Sequence, residues 1–282
     1  MSVKYLGFDV PVLLKDGTTR LSQNLKISDT LLGLYPNTVQ INKIEIINDK
    51  LYKVIPRYGL SFTIGNQNKI NTKELVKTIV DFPLKSIKVD PYFLGLCFAC
   101  NNYKDQQIIF NIKDTHEEIY NYLFSMISNT NIKYIIENDF FKIIDDRIID
   151  YFSFHGFRNI PDIYKYNKIN FRYKLLGGIL DAKGKYFDNY YEIIDDEHLI
   201  RDIDYVAKSV GLYTVLYKKT DKYLLRITGN NLCNIQSFIT KIEMILPNPV
   251  CDYKIAPILF DDKCVKINIS GENIVLSDFT VI

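Results

Sequence analysis

The sequence predicts an α+β fold in which both ends of the chain are mostly β-strand and the middle contains helices and strands. Near both ends, apolar residues come in short runs bounded by turn residues, as at Asp16-Gly17, which is typical of strands. In the middle, such runs alternate with apolar patterns of helical period, of which residues 174–186 are the clearest.

Length and composition limit the class of protein. The chain has 282 residues, 47% hydrophobic and 24% charged, a balance that predicts two or three small cores and excludes a disordered protein. It has no run of the roughly 18 apolar residues that a membrane span needs, and no signal peptide follows Met1. We therefore expect an intracellular, soluble protein without a membrane partner.

Charge and cysteine content limit the chemistry. The formal net charge is only +2, so any affinity for nucleic acid must come from a local patch. The five cysteines are odd in number and mostly lie in apolar runs, which predicts reduced core thiols. Cys97 and Cys100 form a C-x-x-C pair, but the three histidines lack ligand spacing, so we predict no metal site and no cofactor.

The first part of the chain reads as strands, with a turn at Asp16-Gly17 and further alternating runs over 44–70. The run V-L-L-K-D-G over 12–17 and the segments 52–59 and 62–64 resemble the first blocks of inteins, which have the Hint fold. The resemblance places Tyr5 at the position of the splicing nucleophile. Counting from Phe62 places Asn68 at the position of the histidine that polarises the first peptide bond.

The last part of the chain also reads as strands, over 253–258, 264–269 and 273–276. The closing string L-S-D-F-T-V-I over 276–282 resembles the last intein block, and it stops before the His-Asn pair that completes splicing. The resemblance implies a Hint-like domain made from residues 1–85 and 247–282, with residues 86–246 inserted between the two parts.

The stretch 174–186 predicts a helix with two glycines inside it. Leu175, Leu176, Ile179 and Leu180 make one apolar face, and Gly184 closes the helix. The glycines at 177 and 178 each destabilise a helix by about 1 kcal/mol relative to alanine, so we predict close approach of a second helix there. The string resembles the signature helix of the LAGLIDADG homing endonucleases.

A second, weaker copy of the signature helix begins near Val89, in D-P-Y-F-L-G-L-C-F-A-C-N. The resemblance implies a two-fold pseudo-symmetric domain of αββαββα type with half-domains at about 86–155 and 156–246. In the first half we predict a strand at 108–112, a helix at 117–127 and a helical run over 138–152. In the second half we predict strands at 189–194, 214–217 and 223–228, and a helix at 197–210 that ends at Gly211.

The family's catalytic positions carry unsuitable residues. The resemblance places the two metal-binding carboxylates at Cys100 and Lys183, which supply none of the oxygen ligands that Mg²⁺ prefers. For splicing, the phenol of Tyr5 cannot attack its own preceding carbonyl through a five-membered ring, and Asn68 cannot act as an imidazole. We therefore expect no catalytic residues and no enzyme activity, with Asp181 taking part in helix-end packing.

Two functions of different classes remain open, with residual endonuclease activity as a third. One is a non-catalytic protein that binds nucleic acid, with double-stranded DNA as its partner; the other is a structural or assembly protein, for example in a viral particle, that uses the inert scaffold for protein contacts. The sequence leaves the oligomeric state, the protein partners and any DNA target open.

Basic residues in the second half-domain and in its lead-in are the candidate DNA contacts, although a charge run also fits a solvated hairpin. In the first half, the short segment expected to face DNA, 106–113, is made acidic by Asp105, Asp114, Glu117 and Glu118 and is a poorer candidate. The candidate contacts are Lys183, Lys185, Lys218, Lys219, Lys222, Arg226, Arg158, Arg172 and Lys174.

Overall fold

The computed structural model describes residues 2–68, 74–99, 103–104, 107–111, 116–130, 132–155, 159–242 and 247–282. The strands are β1 (Ser2–Gly7), β2 (Pro11–Leu13), β3 (Thr19–Leu21), β4 (Thr30–Leu32), β5 (Thr38–Pro56), β6 (Phe62–Gly65), β7 (Val76–Lys77), β8 (Tyr103–Lys104), β9 (Gln107–Asn111), β10 (Tyr134–Glu137), β11 (Phe140–Ile143), β12 (Lys185–Phe187), β13 (Tyr190–Asp195), β14 (Tyr213–Lys218), β15 (Tyr223–Thr228), β16 (Tyr253–Ile269) and β17 (Thr280–Val281). The α-helices are α1 (Pro91–Ala99), α2 (Glu117–Thr130), α3 (Asp146–His155), α4 (Asp162–Lys165), α5 (Ile169–Lys183) and α6 (Glu197–Ser209).

The chain divides into two compact units. The first contains Met1–Phe82, Lys208–Val215 and Asn248–Ile282, and the second contains Pro83–Ala207 and Leu216–Pro247. The first unit therefore includes a segment, Lys208–Val215, that the sequence-based division assigns to the inserted domain. The division of the inserted domain into half-domains stays a prediction.

The first unit is built from strands of both chain ends. Its five-stranded sheet has the order β16-β1-β6-β5-β4, and the pairs β2-β3 and β7-β17 form two smaller sheets. The long strands β5 and β16 pair antiparallel from Tyr253 opposite Pro56 to Ile269 opposite Ile41, with register shifts between Pro257 and Asp261 and between Asn268 and Ile269. The core of this unit is mostly aliphatic and includes the fully buried Leu6, Val54, Val265, Ile267 and Ile274.

A buried ion pair connects the C-terminal segment to the rest of the first unit. The Lys77 ammonium donates to Asp278 Oδ2 at 2.8 Å, to the Asp278 carbonyl at 2.9 Å and to Thr280 Oγ1 at 2.6 Å. The amide of Leu60 donates to the same carboxylate at 2.8 Å. Because both charged side chains are almost fully buried, each depends on the other for its stabilisation.

The second unit places α1 and α5 in direct backbone contact. A Cβ atom added at Gly178 would lie 2.0 Å from the Tyr92 carbonyl oxygen, and one added at Gly95 would lie 2.3 Å from the Leu175 carbonyl oxygen. Only glycine fits at these two positions. The predicted close approach of a second helix is confirmed at Gly178, whereas Gly177 instead faces the carbonyl of Gln236, 2.1 Å from an added Cβ.

Two four-stranded sheets occur in addition, with strand orders β10-β11-β9-β8 and β12-β13-β15-β14. The predicted helical run over 138–152 is wrong in its first half, where β10 and β11 form a hairpin before α3 begins. Asn138 and Asp139 have φ angles of 49° and 65°, the left-handed conformation that a two-residue hairpin turn requires. Among the described residues, no helix is both long enough and apolar enough to cross a membrane.

Candidate nucleic-acid interface

The end of α5 carries an ion pair at Lys183, the position to which the LAGLIDADG resemblance assigns a metal-binding carboxylate. The ammonium of Lys183 contacts the carboxylate of Asp195, which is the last residue of β13 and is almost fully buried. The charge of Lys183 is therefore balanced within the protein, which weakens the expectation that it contacts a phosphate. Cys100, the corresponding position after α1, lies outside the described residues.

Asp181, two residues before the end of α5, accepts three hydrogen bonds. Its carboxylate accepts from the Tyr92 hydroxyl at 2.7 Å, from the amide of Phe238 at 2.6 Å and from the Ser237 hydroxyl. These contacts connect α5 to α1 and to the segment that follows β15. Within the part of the chain that the structure describes, no group of three or more His, Cys, Asp or Glu side chains could hold a metal.

The sheet β12-β13-β15-β14, called the second sheet from here on, carries interleaved basic and aromatic side chains on its accessible face. Along β13, Tyr191 and Ile193 are buried, so the alternating Tyr190 and Glu192 lie on the opposite, accessible face. The cross-strand register places Glu192 between Lys185 on β12 and Arg226 on β15. We call this surface the basic-aromatic face, and it consists of Lys185, Phe187, Tyr190, Glu192, Tyr217 and Arg226.

Arg226 lies at the centre of the basic-aromatic face. Its guanidinium carbon is 4.3 Å from the centroid of the Tyr190 ring and 5.9 Å from that of Tyr217. The guanidinium also donates to Glu192 Oε1 at 2.7 Å. Glu192 offsets part of the charge and two rings lie beside the guanidinium, so the position of Arg226 is fixed by a hydrogen bond and by ring contacts together.

Three lysines cluster at the exposed hairpin between β14 and β15. The amide of Lys219 donates to the carbonyl of Lys222 at 2.8 Å, which closes the turn, and Lys218 lies over the Tyr223 ring with its Nζ 6.0 Å from the centroid. All three lysine side chains are exposed. We call Lys218, Lys219 and Lys222 the hairpin cluster.

The remaining candidates from the sequence are not part of this surface. Arg172 is completely buried in α5 and donates through Nε to the Asn167 carbonyl at 3.0 Å, so the prediction that it contacts DNA is wrong. Lys174 is half-exposed beside Asp90, in a cavity of about 210 Å³ lined also by Tyr92, Tyr122 and Phe238. Arg158 lies outside the described residues.

The sheet β10-β11-β9-β8, called the first sheet from here on, has an exposed face of a different character. Ile109 and Ile135 flank Lys142 in the cross-strand register, and Phe140 is exposed on the same strand as Lys142. The ammonium of Lys142 is paired with Glu137 at 2.8 Å. This face is largely apolar and is a weaker match to a polyanion than the basic-aromatic face.

The sequence alone places Tyr190 in a tyrosine-rich strand. It does not identify Glu192 as the partner of Arg226 or Asp195 as the partner of Lys183. The period-two alternation over 190–195 would indicate that residues 190 and 192 share a face. It could not indicate that Arg226 lies opposite Glu192, because that register depends on the pairing of two strands separated by a helix.

In the first unit, the structure brings together the two residues that the intein resemblance assigns to the first splicing step. The side-chain amide of Asn68 donates to the Tyr5 carbonyl at 3.1 Å, and its oxygen accepts from the Tyr5 amide at 3.4 Å. The two positions are thus in direct contact although they are 63 residues apart.

No protein-family model matches this chain, and no curated protein matches it. Among solved structures, mesophilic variants of the homing endonuclease I-DmoI match with 12% identity and a TM-score of 0.39, covering 52% of this chain and 91% of theirs. I-DmoI in complex with DNA and Ca matches with 14% identity and a TM-score of 0.38, covering 51% and 85%.

These solved structures correct one expectation. The sequence led us to expect that the chain is not an enzyme, and this expectation is contradicted because the similar structures are those of an endonuclease. About half of this mixed helix-and-strand chain is similar in structure to a homing endonuclease.

Proposed function

We propose that this protein binds double-stranded DNA through the basic-aromatic face and the hairpin cluster. The observation that carries the proposal is the position of Arg226, which lies over the Tyr190 ring and near the Tyr217 ring and donates to Glu192. A planar guanidinium presented in this way suits the bidentate acceptor pair of a guanine edge.

The two parts of the surface differ in the contacts they suit. The exposed ammonium groups of the hairpin cluster are mobile point charges, so they suit phosphate oxygens and contribute affinity that does not depend on sequence. The charge of Arg226 is partly offset by Glu192, so this residue suits a base edge in the major groove, which is wide enough for β-strands. Affinity and sequence preference therefore come from different residues.

The local distribution of charge supports this proposal better than the net charge does. The chain carries only +2 overall, yet Lys185, Arg226 and the hairpin cluster supply five cations, against the carboxylates of Glu192 and Asp221, on one sheet and its hairpin. Lys183 contributes less than the sequence suggested, because Asp195 already balances it. The field of a local cluster is sufficient to attract a polyanion.

We also propose that the first unit has a Hint-like fold, so that the chain derives from an intein with an inserted homing-endonuclease-like domain. The contact between Asn68 and both backbone polar groups of Tyr5 supports this proposal, because the resemblance requires these two positions to meet. The assembly of the unit from both chain ends is consistent with it.

Replacing Arg226 by lysine or by alanine tests the role of this residue in DNA binding. Lysine keeps the charge but loses the planar fork and its stacking, so both variants should lose about 5- to 100-fold in affinity for a preferred duplex. Selection of preferred duplexes from a random library, followed by fluorescence anisotropy, measures this loss.

The control for these variants is the double variant Lys53→Ala with Lys254→Ala, which removes two positive charges from exposed positions of the first unit, more than either Arg226 variant removes. It should bind the preferred duplex like the wild type. Equal affinities for the wild type and both Arg226 variants would contradict a base-reading role.

A further inference from the structure

The strand β10 is an exposed sheet edge with apolar side chains. It is the terminal strand of its sheet, and among the described residues no strand pairs with its outer side. Tyr134, Ile135 and Ile136 are 38%, 44% and 46% exposed, although they are consecutive and point alternately to both faces. Proteins usually shield such an edge because it is a template for strand pairing.

The backbone of β10 is oriented for pairing on its free side. The amide of Ile144 donates to the carbonyl of Lys133 at 3.0 Å, so the polar groups of Lys133 face β11. Because orientation alternates along an antiparallel strand, the amides and carbonyls of Tyr134 and Ile136 point to the free edge. An incoming strand therefore finds two residues able to form hydrogen-bonded pairs.

The sequence of this edge is complementary to itself. If a second β10 pairs antiparallel with a two-fold axis at Ile135, then Tyr134 lies opposite Ile136 and both form hydrogen-bonded pairs. In the same register Lys133 of each copy lies opposite Glu137 of the other. Opposite charges placed directly across an antiparallel pair are stabilising, and the two-fold axis produces this contact twice.

We propose that this edge pairs with the same edge of a second copy of the chain. The four-stranded sheet β10-β11-β9-β8 of one copy and that of the other then form one continuous sheet of eight strands. The register that satisfies the outward-facing backbone groups is also the register that matches the charges and aligns Ile135 with its own copy. Both ends of the paired segment carry exposed ionic groups, Lys133 and Glu137, and the Glu137 carboxylate, which already accepts from Lys142 of its own chain, remains exposed enough to accept from Lys133 of the second copy as well. This inference does not depend on DNA binding.

Charge reversal tests the pairing. Sedimentation velocity over a concentration series, without nucleic acid, should show the wild type in a monomer–dimer equilibrium, with dimers at about 10–100 μM because the interface is small. Lys133→Glu should raise the dimer dissociation constant about tenfold or more, since two Glu–Glu contacts replace two Lys–Glu contacts. The double variant Lys133→Glu with Glu137→Lys should restore dimerisation.

Mixing two single variants gives the sharpest result. Lys133→Glu and Glu137→Lys should each be weak dimers alone, yet form a heterodimer together, since every cross-strand pair is then complementary. Ile136→Pro should also abolish dimerisation, because it removes an amide that points to the free edge. Circular dichroism confirms that each variant is folded.

Two results would overturn the proposal. One is a wild type that stays monomeric up to about 1 mM, well above the range expected for a small specific interface; the edge would then be free or would bind a different protein. The other is a dimer whose dissociation constant is unchanged by Lys133→Glu and whose single variants form no heterodimer, because such a dimer uses another surface.

Discussion

The ammonium of Lys183 is paired with the buried carboxylate of Asp195, where α5 ends and β13 ends. A residue that the sequence presented as a DNA contact is thus half of an internal ion pair. Removing the lysine leaves a carboxylate that is almost fully buried without its cation, and such groups are strongly destabilising.

The first prediction is that Lys183→Ala acts on stability more than on binding. The free energy of unfolding should fall by about 1–3 kcal/mol, since the pair is only partly accessible to water. Urea denaturation measures the change, and Lys185→Ala, two residues further along on β12, is the control. A variant of wild-type stability with a clearly reduced salt dependence of DNA binding would show that Lys183 contacts phosphate instead.

The second prediction concerns the crossing of α1 and α5. Gly178→Ala should lower the free energy of unfolding by about 3 kcal/mol or more, because the added methyl group meets the Tyr92 carbonyl and no side chain can move aside. Gly271→Ala is the control, since the atoms nearest to its added Cβ belong to the Val39 side chain, with a methyl group 2.9 Å away, and not to backbone. Thermal unfolding followed by circular dichroism compares the two, and equal stabilities would contradict the close crossing.

The third prediction concerns the buried pair of Lys77 and Asp278. Asp278→Asn should destabilise the protein by about 3–5 kcal/mol, because it leaves the Lys77 ammonium buried without an anion. Adding Lys77→Met should recover part of this stability, since the unpaired charge is then removed. The three proteins are compared by urea denaturation at neutral pH, and a single variant within about 1 kcal/mol of the wild type contradicts the prediction.

The pair of Lys77 and Asp278 also predicts that the stability of the protein falls as the pH becomes acidic. Burial raises the pKa of Asp278, but the Lys77 ammonium outweighs burial and holds the pKa below its ordinary value. A depressed carboxyl pKa stabilises the fold above the unfolded pKa of about 4, and this contribution is lost as the pH falls through the folded value. Between pH 5 and about pH 2, the wild type should therefore lose more stability than the Lys77→Met, Asp278→Asn variant.

Local sequence patterns were sufficient to predict several elements. The strand predicted at 223–228 is β15, and the helix predicted at 197–210 is α6, which ends before Gly211 at a φ of 79°. The glycine at 178 also indicated a close helix contact, because an interior glycine destabilises a helix unless packing compensates. These features depend on periodicity and backbone conformation, which are properties of a few neighbouring residues.

Features that depend on tertiary contacts were not predictable. Arg172 has the sequence context of a surface cation, yet its side chain is completely buried and bonded to a backbone carbonyl. The pairing of Lys183 depends on where β13 ends relative to α5, and the apolar residues over 138–145 fit a helix as well as the observed hairpin. In each case the deciding partner lies elsewhere in the chain or in a turn.

The central claim, that the second sheet and its hairpin bind duplex DNA, is tested most directly by the salt dependence of binding to a random-sequence duplex. Fluorescence anisotropy between about 50 and 200 mM salt should give a negative slope of log affinity against log salt concentration, and Lys218→Ala with Lys219→Ala should reduce its magnitude by about 0.9 for each phosphate that the variant no longer neutralises. The control variant Lys53→Ala with Lys254→Ala, which removes the same charge, should keep the wild-type slope. No salt-dependent binding by the wild type, or equal slopes for all three proteins, would contradict the account.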